Sequence, residues 1–368
     1  MNVNPSASAV WLPWMRRALQ LAALADGRTS PNPLVGAVVL DKAGKLVGEG
    51  FHARAGQPHA EVGALAQAGE QASGGTLVVT LEPCCHQGRT PPCTQAVIAA
   101  GLRRVVVAMQ DPDPRVAGAG ITRLRDAGLE VITAVLESEA AHQNRAFVHR
   151  VCTGRPWGIL KWAMSLDGRT ALPNGASQWI SGGEARRWVH RLRGQCDAVI
   201  VGGGTVRADD PLLTSRGHSD PEPKRVVLSR SLDLPQQAQL WNTAVAQTLV
   251  AHGLEPGHEQ LAHLPEGPEL LALPASEPLE LLQALAQQDC NRVLWECGPG
   301  LAAAALQQGC VQELAVVVAP KLLGGLPART PLDDLGFTSM KEVVGLASGS
   351  LQSLGADWLL QYELSKHC

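Results

Sequence analysis

Apolar and polar positions along residues 12–150 alternate between the period of helices and the period of strands. Residues 14–25 place Met15, Leu19, Ala22 and Ala23 on one face, which predicts an amphipathic helix. Short β-branched runs predict buried strands, and the segments between them predict helices. The strands are expected at 34–40, 46–50, 76–81, 104–109 and 130–134, with helices at 59–69, 94–100 and 120–127. This alternation predicts a three-layer α/β/α domain.

The second half repeats the alternation after an interruption. Residues 152–156 contain glycine and proline without clear periodicity, so we predict domains of 1–152 and 153–368. A Ser-Gly-Gly-Glu sequence at 181–184 has the capping-box pattern and predicts a helix through Arg193. Residues 253–280 are predicted to be an irregular connection that leads into a helix to about Gln288. Further strands are predicted at 157–164, 197–201, 225–228, 248–251, 292–296, 314–319 and 358–364, with a last helix that ends at 308.

Length and composition agree with two globular domains and count against several functional classes. The chain has 368 residues, of which 45% are hydrophobic and 18% charged. Its net charge of −3 gives no basic excess for nucleic acid, and no apolar run is long enough to cross a bilayer. The nine cysteines are odd in number and scattered, and the first residues have no positively charged signal segment. We therefore predict a cytoplasmic protein.

One histidine and two cysteines stand at the ends of predicted elements. Cys84 follows the strand at 76–81, Cys93 opens a helix after two prolines, and His59 stands at the start of an earlier helix. Three such ligands suit Zn²⁺ with an open fourth position for water. A His-x-Glu sequence followed by Pro-Cys and a second cysteine is the pattern of zinc deaminases. The pattern predicts a zinc site of His59, Cys84 and Cys93, with Glu61 as general acid and base.

Other interpretations of this stretch remain open. Cys85 and His86 are most simply packing or surface residues, but His86 is an alternative ligand. Either residue would also complete a structural zinc site with four protein ligands, and Glu61 would then have no role. The spacing is unusual as well, because eight residues separate Cys84 from Cys93 where the general pattern has two.

Glycine-rich turns follow two predicted strands of the second half. Residues 298–300, Gly-Pro-Gly, precede a helix whose first amides suit a phosphate. Residues 202–204 are three glycines that follow the strand at 197–201. Either turn also has an ordinary structural interpretation, and the Gly-x-Gly-x-x-Gly pattern of dinucleotide sites is missing there. Arg193 and Arg216 are candidate phosphate partners or simply surface charges.

Short motifs in both halves are more specific than these patterns. The first half contains Thr-Ser-Pro-Asn-Pro-Leu-Val-Gly at 29–36, Pro-His-Ala-Glu-Val at 58–62 and Gly-Arg-Thr-Pro-Pro-Cys at 88–93. The second half contains Ser-Leu-Asp-Gly-Arg-Thr at 165–170, Ser-Gln-Trp-Ile at 177–180, Ala-Asp-Asp-Pro at 208–211 and Ala-Pro-Lys-Leu-Leu-Gly at 319–324. In these motifs the chain resembles the bifunctional deaminase/reductases of riboflavin biosynthesis, over nearly its whole length.

That resemblance implies a cytidine-deaminase-like domain followed by a dihydrofolate-reductase-like domain. The first domain would use zinc to deaminate 2,5-diamino-6-(5-phosphoribosylamino)pyrimidin-4-one. The second would use NADPH to reduce the ribosyl group to a ribityl chain. The family also implies a homodimer.

Matching positions imply contacts in the second domain. NADPH contacts are implied for Ala163, Trp179, Thr205, Asp209, Ser229, Gly298, Pro299, Gly300, Leu301, Ala302, Ala303 and Ala304. Substrate contacts are implied for Ser177, Arg193, Leu213, Arg216 and Glu296. Lys161 and Asp209 are predicted to assist opening of the sugar ring.

Competing functions remain at this point. A deaminase of nucleosides or nucleic acid with a non-catalytic second half is one, although the chain lacks a basic or aromatic-rich stripe. A degenerate reductase half is another, because Cys297 stands where the family usually has glycine. The sequence shows no clamp for a 2′-phosphate, so its chemistry alone does not distinguish NADPH from NADH.

Overall fold

The computed structural model of the protein describes residues 9–86, 91–114, 116–253, 264, 266–327 and 329–364. The chain divides into two units, Met1–Gly154 and Arg155–Cys368. Across the described part of the chain, none of the helices has both the length and the hydropathy needed to cross a membrane.

The first unit is built on a five-stranded sheet. Its strands are β1 (Gly36–Leu40), β2 (Leu46–Phe51), β3 (Thr76–Leu81), β4 (Arg104–Met109) and β5 (Glu130–Ile132). Its helices are α1 (Leu12–Ala23), α2 (Ala60–Ala68), α3 (Cys93–Ala99), α4 (Ala119–Asp126), α5 (Glu137–Gln143) and α6 (Arg145–Thr153). The strand order is β2-β1-β3-β4-β5, with β1 antiparallel to its two neighbours and β3, β4 and β5 parallel.

Alternate residues of β1 serve two different cores. Ala37 and Val39 belong to the core that includes Ala64 of α2, whereas Val38 belongs to the core that includes Met15 of α1. All of these side chains are fully buried. Side chains point alternately to the two faces of a strand, so helices cover both faces of the sheet. The predicted three-layer α/β/α arrangement is confirmed.

The second unit is built on a nine-stranded sheet. Its strands are β6 (Trp157–Ser165), β7 (Ala198–Gly202), β8 (Lys224–Leu228), β9 (Thr248–Gly253), β10 (Glu269–Leu273), β11 (Arg292–Trp295), β12 (Glu313–Ala319), β13 (Leu346–Leu354) and β14 (Asp357–Leu364). Its helices are α7 (Gly183–Gly194), α8 (Gly203–Asp209), α9 (Pro278–Gln287) and α10 (Pro299–Gln307). The strand order is β10-β9-β8-β7-β11-β6-β12-β14-β13, and only the pairings of β14 are antiparallel.

This sheet is also covered on both faces. Ile200 of β7 belongs to the core that includes Leu281 of α9, and the next residue along, Val201, belongs to the core that includes Leu192 of α7. The second unit is therefore α/β, as predicted. The strand β6 has a parallel neighbour on each side, β11 and β12, and lies in the interior of the sheet.

The predicted capping box at 181–184 is wrong. The N-cap of α7 is Gly182, and no side chain caps this helix. Instead, the carboxylate of Asp357 accepts a hydrogen bond of 2.6 Å from the Gly182 N–H, so a distant strand replaces a local cap. A capping box does form at the start of α9, between Glu277 and Glu280.

Some elements are missing from the sequence prediction. The helices α5, α6 and α8 and the strands β10 and β13 carry no clear signal. β10 lies inside residues 253–280, so the prediction of an irregular connection is wrong at 269–273, while 254–263 and 265 lie outside the described residues. β13 has the sequence LASGSLQSL, whose glycine and serines hide the apolar alternation of a strand.

Candidate active sites

Three side chains of the first unit converge at the predicted zinc position. His59 Nδ1 lies 3.1 Å from Cys93 Sγ and 3.7 Å from Cys84 Sγ, and the three atoms lie within 4.8 Å of one another. A single ion can reach all three, because Zn–N and Zn–S bonds are about 2.0–2.3 Å long. One nitrogen and two sulfurs are a donor set of catalytic zinc sites with an open position. The residues present therefore fit a zinc ion.

Each ligand stands at the end of an element. Cys84 follows β3, which is buried along its whole length, while Cys93 begins α3 and His59 is the N-cap of α2. Two hydrogen bonds join the start of α3 to Cys84. The Thr94 N–H donates to the Cys84 carbonyl oxygen at 3.1 Å, and the Cys93 N–H donates to Cys84 Sγ at 3.3 Å. The start of α3 thus holds the Cys84 sulfur in place and favours its thiolate form.

Burial and hydrogen bonds change the proton affinities at this site. Hydrogen bonds from Cys93 and His59 lower the pKa of Cys84, although burial opposes them. The hydrogen bond to Cys84, together with burial, raises the pKa of Cys93. Glu61 is 3% exposed, and burial raises its pKa to about 7. A carboxyl group with such a pKa can both accept and release a proton near neutral pH.

A second histidine supports the site, and the sequence analysis gives it no role. The rings of His52 and His59 meet edge to face, with centroids 5.3 Å apart. His52 Nδ1 lies 3.2 Å from the Pro58 carbonyl oxygen, and His52 Nε2 lies 2.9 Å from Asn32 Nδ2. The amide of Asn32 donates, so the proton of the neutral ring belongs on Nδ1. His52 thereby fixes the turn before His59. Asn32 lies in the motif at 29–36, but no sequence pattern indicates its contact with His52.

Glu82 holds the backbone that follows β4 close to the turn that carries Cys84. Its side chain is buried, and it accepts three backbone hydrogen bonds, from Asp111 at 3.2 Å, Gly118 at 3.0 Å and Ile121 at 3.0 Å. A Cβ on Gly120 would lie 2.1 Å from the Pro83 carbonyl oxygen, so glycine is needed for this approach. Asp111, Gly118 and the start of α4 are thus held directly against the turn that carries Cys84.

The alternative ligands lie outside this cluster. Within the described residues, the group able to hold a metal consists of His59, Cys84 and Cys93 and includes neither Cys85 nor His86. A structural zinc with four protein ligands therefore finds no fourth ligand in the part of the chain that the structure describes. Residues 87–90, from the Gly-Arg-Thr-Pro-Pro-Cys motif, lie outside the described residues.

A cluster of three charged side chains forms in the second unit. Arg193 of α7 donates two hydrogen bonds to Glu296, with Nε 2.6 Å from Oε1 and Nη2 3.1 Å from Oε2. Lys161 of β6 places Nζ 3.6 Å from Glu296 Oε2. The three side chains are at most 16% exposed. The structure therefore brings Lys161 together with two of the predicted substrate residues, at the carboxyl end of β11.

The charges of this cluster act on one another. Burial lowers the pKa of Lys161, and the charge of Arg193 lowers it further, while Glu296 opposes both. Burial alone would raise the pKa of Glu296, but Arg193 and Lys161 outweigh it and lower that pKa to about 2. Glu296 is therefore a permanent anion at ordinary pH, and Lys161 holds its proton less tightly than a surface lysine.

The predicted cofactor residues lie near the carboxyl ends of parallel strands. Ala163 is in β6, Thr205 is in α8, Ser229 follows β8, and residues 298–304 include the N-cap and first turns of α10. A Cβ on Gly298 would lie 4.0 Å from Thr205 Oγ1, so the two glycine turns are neighbours. Dinucleotides bind across the carboxyl ends of such strands, with phosphate at a helix start. The residues present fit NADPH.

Trp179 has an exposed ring, which is 63% accessible. The Arg186 guanidinium lies 4.5 Å from the ring centroid, and Lys321 Nζ donates a hydrogen bond of 2.7 Å to the Trp179 carbonyl oxygen. Ser177, two residues earlier, is partly exposed. The ring of Trp179 is therefore accessible to a ligand, while Lys321 holds the backbone at this residue in place.

The other predicted residues differ in accessibility. Asp209 ends α8; burial raises its pKa and the charge of Arg329 opposes this, and among the described residues it forms no ion pair with Lys161. Leu213 is 2% exposed, so only its backbone is available to a ligand. Arg216 is exposed, and its charge and that of Arg193 both act on the nearby His190, whose pKa is lowered chiefly by burial.

Comparisons with known proteins extend over both units. The model for the cytidine and deoxycytidylate deaminase zinc-binding region matches residues 12–109, and that for the RibD C-terminal domain matches residues 156–360. Riboflavin biosynthesis protein RibD of Synechocystis sp. is 51% identical over 346 residues, 94% of each chain. The protein of the same name from Escherichia coli is 43% identical and covers 90% of this chain and 95% of its own length.

Solved structures share the architecture. RibD of Acinetobacter baumannii, form 1, matches with a TM-score of 0.87 and 41% identity, over 96% of this chain and 99% of its own. A diaminohydroxyphosphoribosylaminopyrimidine deaminase/5-amino-6-(5-phosphoribosylamino)uracil reductase from Thermotoga maritima matches with a TM-score of 0.86 and 33% identity, over 98% of this chain and 100% of its own.

Proposed function

Because this chain belongs to the RibD family and is a bifunctional deaminase/reductase of riboflavin biosynthesis, we propose that residues 1–152 carry the zinc-dependent deamination and residues 153–368 the NADPH-dependent reduction. The proposed substrate is 2,5-diamino-6-(5-phosphoribosylamino)pyrimidin-4-one, in line with the name of the Thermotoga maritima relative. The observation that carries the proposal is the convergence of His59, Cys84 and Cys93, with the buried carboxyl of Glu61 two residues from the first ligand.

Glu61 is the proton carrier of the proposed deamination. His59, Cys84 and Cys93 would hold a zinc ion, whose chemistry would be to make water acidic enough to attack near neutral pH. The reaction adds water at the carbon that bears the amino group, releases ammonia and leaves a carbonyl. Glu61 accepts the first proton of the water and transfers it to the ring nitrogen; it then takes the proton of the added hydroxyl group and gives it to the departing amino group. Its burial and raised pKa suit both directions of transfer.

Lys161 is the proton donor of the proposed reduction. The cofactor would supply a hydride for the ribose carbon that carries the amine; the bond from that carbon to the ring oxygen would break, and the ring oxygen would take up a proton. Lys161 can supply that proton because burial and Arg193 lower its pKa, while Glu296 holds its ammonium group in position. Asp209 is the second candidate for this step, acting from outside the ion cluster.

The remaining substrate contacts are proposed from matching positions. Ser177, Leu213 and Arg216 would complete the ribose phosphate site beside Arg193 and Glu296. The exposed guanidinium of Arg216 is suited to a phosphate group, which arginine binds with two parallel hydrogen bonds. Leu213 would contribute its backbone, because its side chain is buried.

We also propose a homodimer in the cytoplasm. The dimer is supported by the family resemblance, and the location by the odd, scattered cysteines. Light scattering on the purified chain tests the first, with a monomer mass as the contrary result. Cell fractionation tests the second, with recovery outside the cytoplasm as the contrary result.

A two-signal assay tests the proposed function. Purified protein receives the phosphoribosylated diaminopyrimidine and NADPH, and ammonia release and NADPH oxidation are followed separately. Glu61→Ala is expected to slow ammonia release by about 10²–10⁴-fold, while bound zinc is unchanged and oxidation of NADPH with the deaminated pyrimidine continues. Glu70→Ala, at an exposed glutamate in the turn after α2, is the matched control and is expected to retain both signals.

Two results would contradict the assignment. Ammonia release without NADPH oxidation would mean that the second unit has a different activity. If zinc-loaded protein gives neither signal, the proposed substrate is wrong for both units.

A further inference from the structure

A pocket of about 310 Å³ opens beside the predicted cofactor residues of the second unit. The turn between β7 and α8 and the segment that follows β8 form one side. The residues before α9 and the first turns of α10 form the other. Its lining includes Gly203, Arg207, Ser229, Arg230, Ser276 and Gly300. Two arginines and two serines beside a glycine turn form a strongly anion-binding set of donors.

Both arginines retain capacity for a ligand. Arg230 Nη2 lies 2.6 Å from Glu277 Oε1, and the Arg230 side chain is 69% exposed. Arg207 Nη1 lies 3.2 Å from Asp233 Oδ2, also donates to the carbonyl of that residue, and is 45% exposed. A guanidinium group has five N–H donors, so each arginine keeps several for a further anion. The carboxylates hold the two cations in place, and neither carboxylate lines the pocket.

Ser276 gives independent evidence for a ligand. Its side chain is 3% exposed, lines the pocket, and within the described residues has no hydrogen-bond partner for Oγ. Its backbone has a φ of +53°, in the left-handed region that serine rarely adopts. A buried hydroxyl without a partner is uncommon because it loses the hydrogen bonds that water would give. An acceptor in the pocket would satisfy it.

The position of the pocket along the sheet indicates which part of a bound dinucleotide would lie in it. In the order β8-β7-β11-β6, the end of β8 lies three strands from β6, about 14 Å at the usual strand spacing. The end of β6 carries the predicted contact Ala163, near the Lys161 cluster, and the glycine turn of α10 follows β11 between them. A dinucleotide that crosses the strand ends with its nicotinamide near Lys161 places its adenosine at Ser229 and Arg230.

We propose that Arg207 and Arg230, with the hydroxyls of Ser229 and Ser276, bind the phosphate on the 2′-oxygen of the adenosine ribose and so select NADPH over NADH. The proposal rests on the reductase function proposed above. Sites for NADH place a carboxylate on the ribose 2′-hydroxyl, whereas sites for NADPH place an arginine near the 2′-phosphate. Here serine and arginine follow β8, and the nearby carboxylates Glu277 and Asp233 are occupied by the two arginines.

Binding of nucleotide fragments to the full chain tests this directly. Calorimetry compares 2′,5′-ADP with 5′-AMP, which differ only in the 2′-phosphate. The unmodified chain is expected to bind 2′,5′-ADP at least about 10-fold more tightly. Arg230→Ala and Arg207→Ala are each expected to remove most of this preference and to leave the affinity for 5′-AMP unchanged. Arg191→Ala, at an exposed arginine of α7, is the matched control.

A second variant separates phosphate binding from structural support. Arg230 also pairs with Glu277, which caps α9, so Arg230→Ala alone could loosen that helix. Glu277→Gln breaks the same ion pair but leaves the guanidinium free for the phosphate. It is expected to bind 2′,5′-ADP as well as the unmodified chain or better. An equal loss in both variants would overturn the proposal.

The 5-phosphate of the ribosyl substrate is the other phosphate group that these donors would suit. Ribose 5-phosphate is therefore titrated into the same variants, and its affinity is expected to stay unchanged. Loss of ribose 5-phosphate binding in Arg230→Ala, with 2′,5′-ADP unaffected, would assign the pocket to the substrate and overturn the proposal. NADPH oxidation by the unmodified chain is measured in parallel. Its absence would contradict the reductase function itself, whereas oxidation without any preference for 2′,5′-ADP would contradict only the 2′-phosphate site.

Discussion

Glu296 joins two cations that the chain brings from distant positions, Lys161 on β6 and Arg193 on α7. Each cation alone would be costly to bury, and the carboxylate between them offsets that cost. The arrangement also sets the chemistry, because Arg193 donates two hydrogen bonds to the carboxylate while Lys161 has only the longer contact of 3.6 Å. A loosely paired lysine beside a firmly held carboxylate is suited to giving up a proton.

The stability of the second unit is expected to depend on pH through Glu296. Its pKa of about 2, against 4.5 for a free glutamate, means that protonation opposes folding. A lowered carboxyl pKa contributes stability above pH 4.5 that is lost as the pH falls towards 2, on the order of 3 kcal/mol in total. Urea unfolding between pH 3 and pH 6 checks this by comparing the unmodified chain with Glu296→Gln.

The variant supplies the contrast for this measurement. Glu296→Gln leaves Lys161 and Arg193 without their anion at every pH, so it is expected to be less stable than the unmodified chain near neutral pH. The difference should shrink as the pH falls below 4.5. A difference that stays constant down to pH 3 would show that the pKa of Glu296 is the same in the folded and the unfolded protein.

The residue types in a site decide how many of its residues can be predicted from the sequence. Zinc ligands are limited to a few residue types, so His59, Cys84 and Cys93 stand out by type and order, and the structure brings them together. Asn32 and His52 are ordinary polar residues whose role depends on contacts that no local pattern contains. Arg230 is likewise a common surface residue until its neighbours in space are known. The functional roles of all these residues stay predictions.

At the scale of elements, Glu82 links the zinc turn to the next strand and helix. It follows β3 and accepts hydrogen bonds from the loop after β4 and from the start of α4. A carboxylate that accepts several amide hydrogen bonds is a strong and directional anchor. Since Pro83 and Cys84 follow immediately, movement of this anchor moves a metal ligand.

Glu82→Gln is expected to weaken both the fold and metal retention. The amide keeps one acceptor oxygen and turns a donor towards backbone N–H groups, which should cost about 2 kcal/mol in the free energy of unfolding. Zinc should also be lost to a competing chelator about 10-fold more readily, since supporting contacts of ligands have effects of that size. Chemical denaturation and chelator competition provide the two measurements.

Glu130→Gln is the control for this prediction. Glu130 forms an exposed ion pair with Arg104, with its side chain 48% accessible, so its loss should cost less than about 1 kcal/mol and leave zinc binding unchanged. Equal effects of the two substitutions would mean that the buried hydrogen bonds of Glu82 contribute no more than a surface ion pair.

Strands and helices differ in how strongly the local sequence pattern predicts them. Buried strands such as β3 and β4 are continuous apolar runs and are predicted at their observed positions. The edge strand β13 has one neighbour and needs few apolar residues, so its pattern is weak. The cap of α7 differs from the prediction for another reason, because the carboxylate of Asp357, far along the chain, accepts the hydrogen bond of the Gly182 N–H in place of a local side chain.

At the scale of the whole molecule, each unit holds its own sheet and its own buried cores. The residues proposed for zinc chemistry all lie in Met1–Gly154, and those proposed for NADPH chemistry all lie in Arg155–Cys368. Separate cores are the physical condition for independent folding.

The two units are expected to fold when produced separately as residues 1–154 and 155–368. The first should unfold cooperatively and bind one zinc ion, and the second should bind NADPH with the affinity of the full chain. Circular dichroism, metal analysis and NADPH fluorescence check these outcomes. A division between residues 196 and 197 is the control, because it separates β6 from its neighbour β11. The second fragment, residues 197–368, should then be unfolded. If both divisions fail alike, the units depend on each other for stability.

The interior place of β6 also affects how the second unit is made. β6 is the first strand of this unit to leave the ribosome, yet its neighbours begin only at residues 292 and 313. Until then, the backbone N–H and C=O groups on both edges of this largely apolar strand are unpaired. The strands β7, β8 and β9, in contrast, can already pair with one another. Such a nascent chain exposes the features that chaperones recognise and that drive aggregation. The order of synthesis thus leaves the strand that carries Lys161 without its neighbours for longer than any other strand of this sheet.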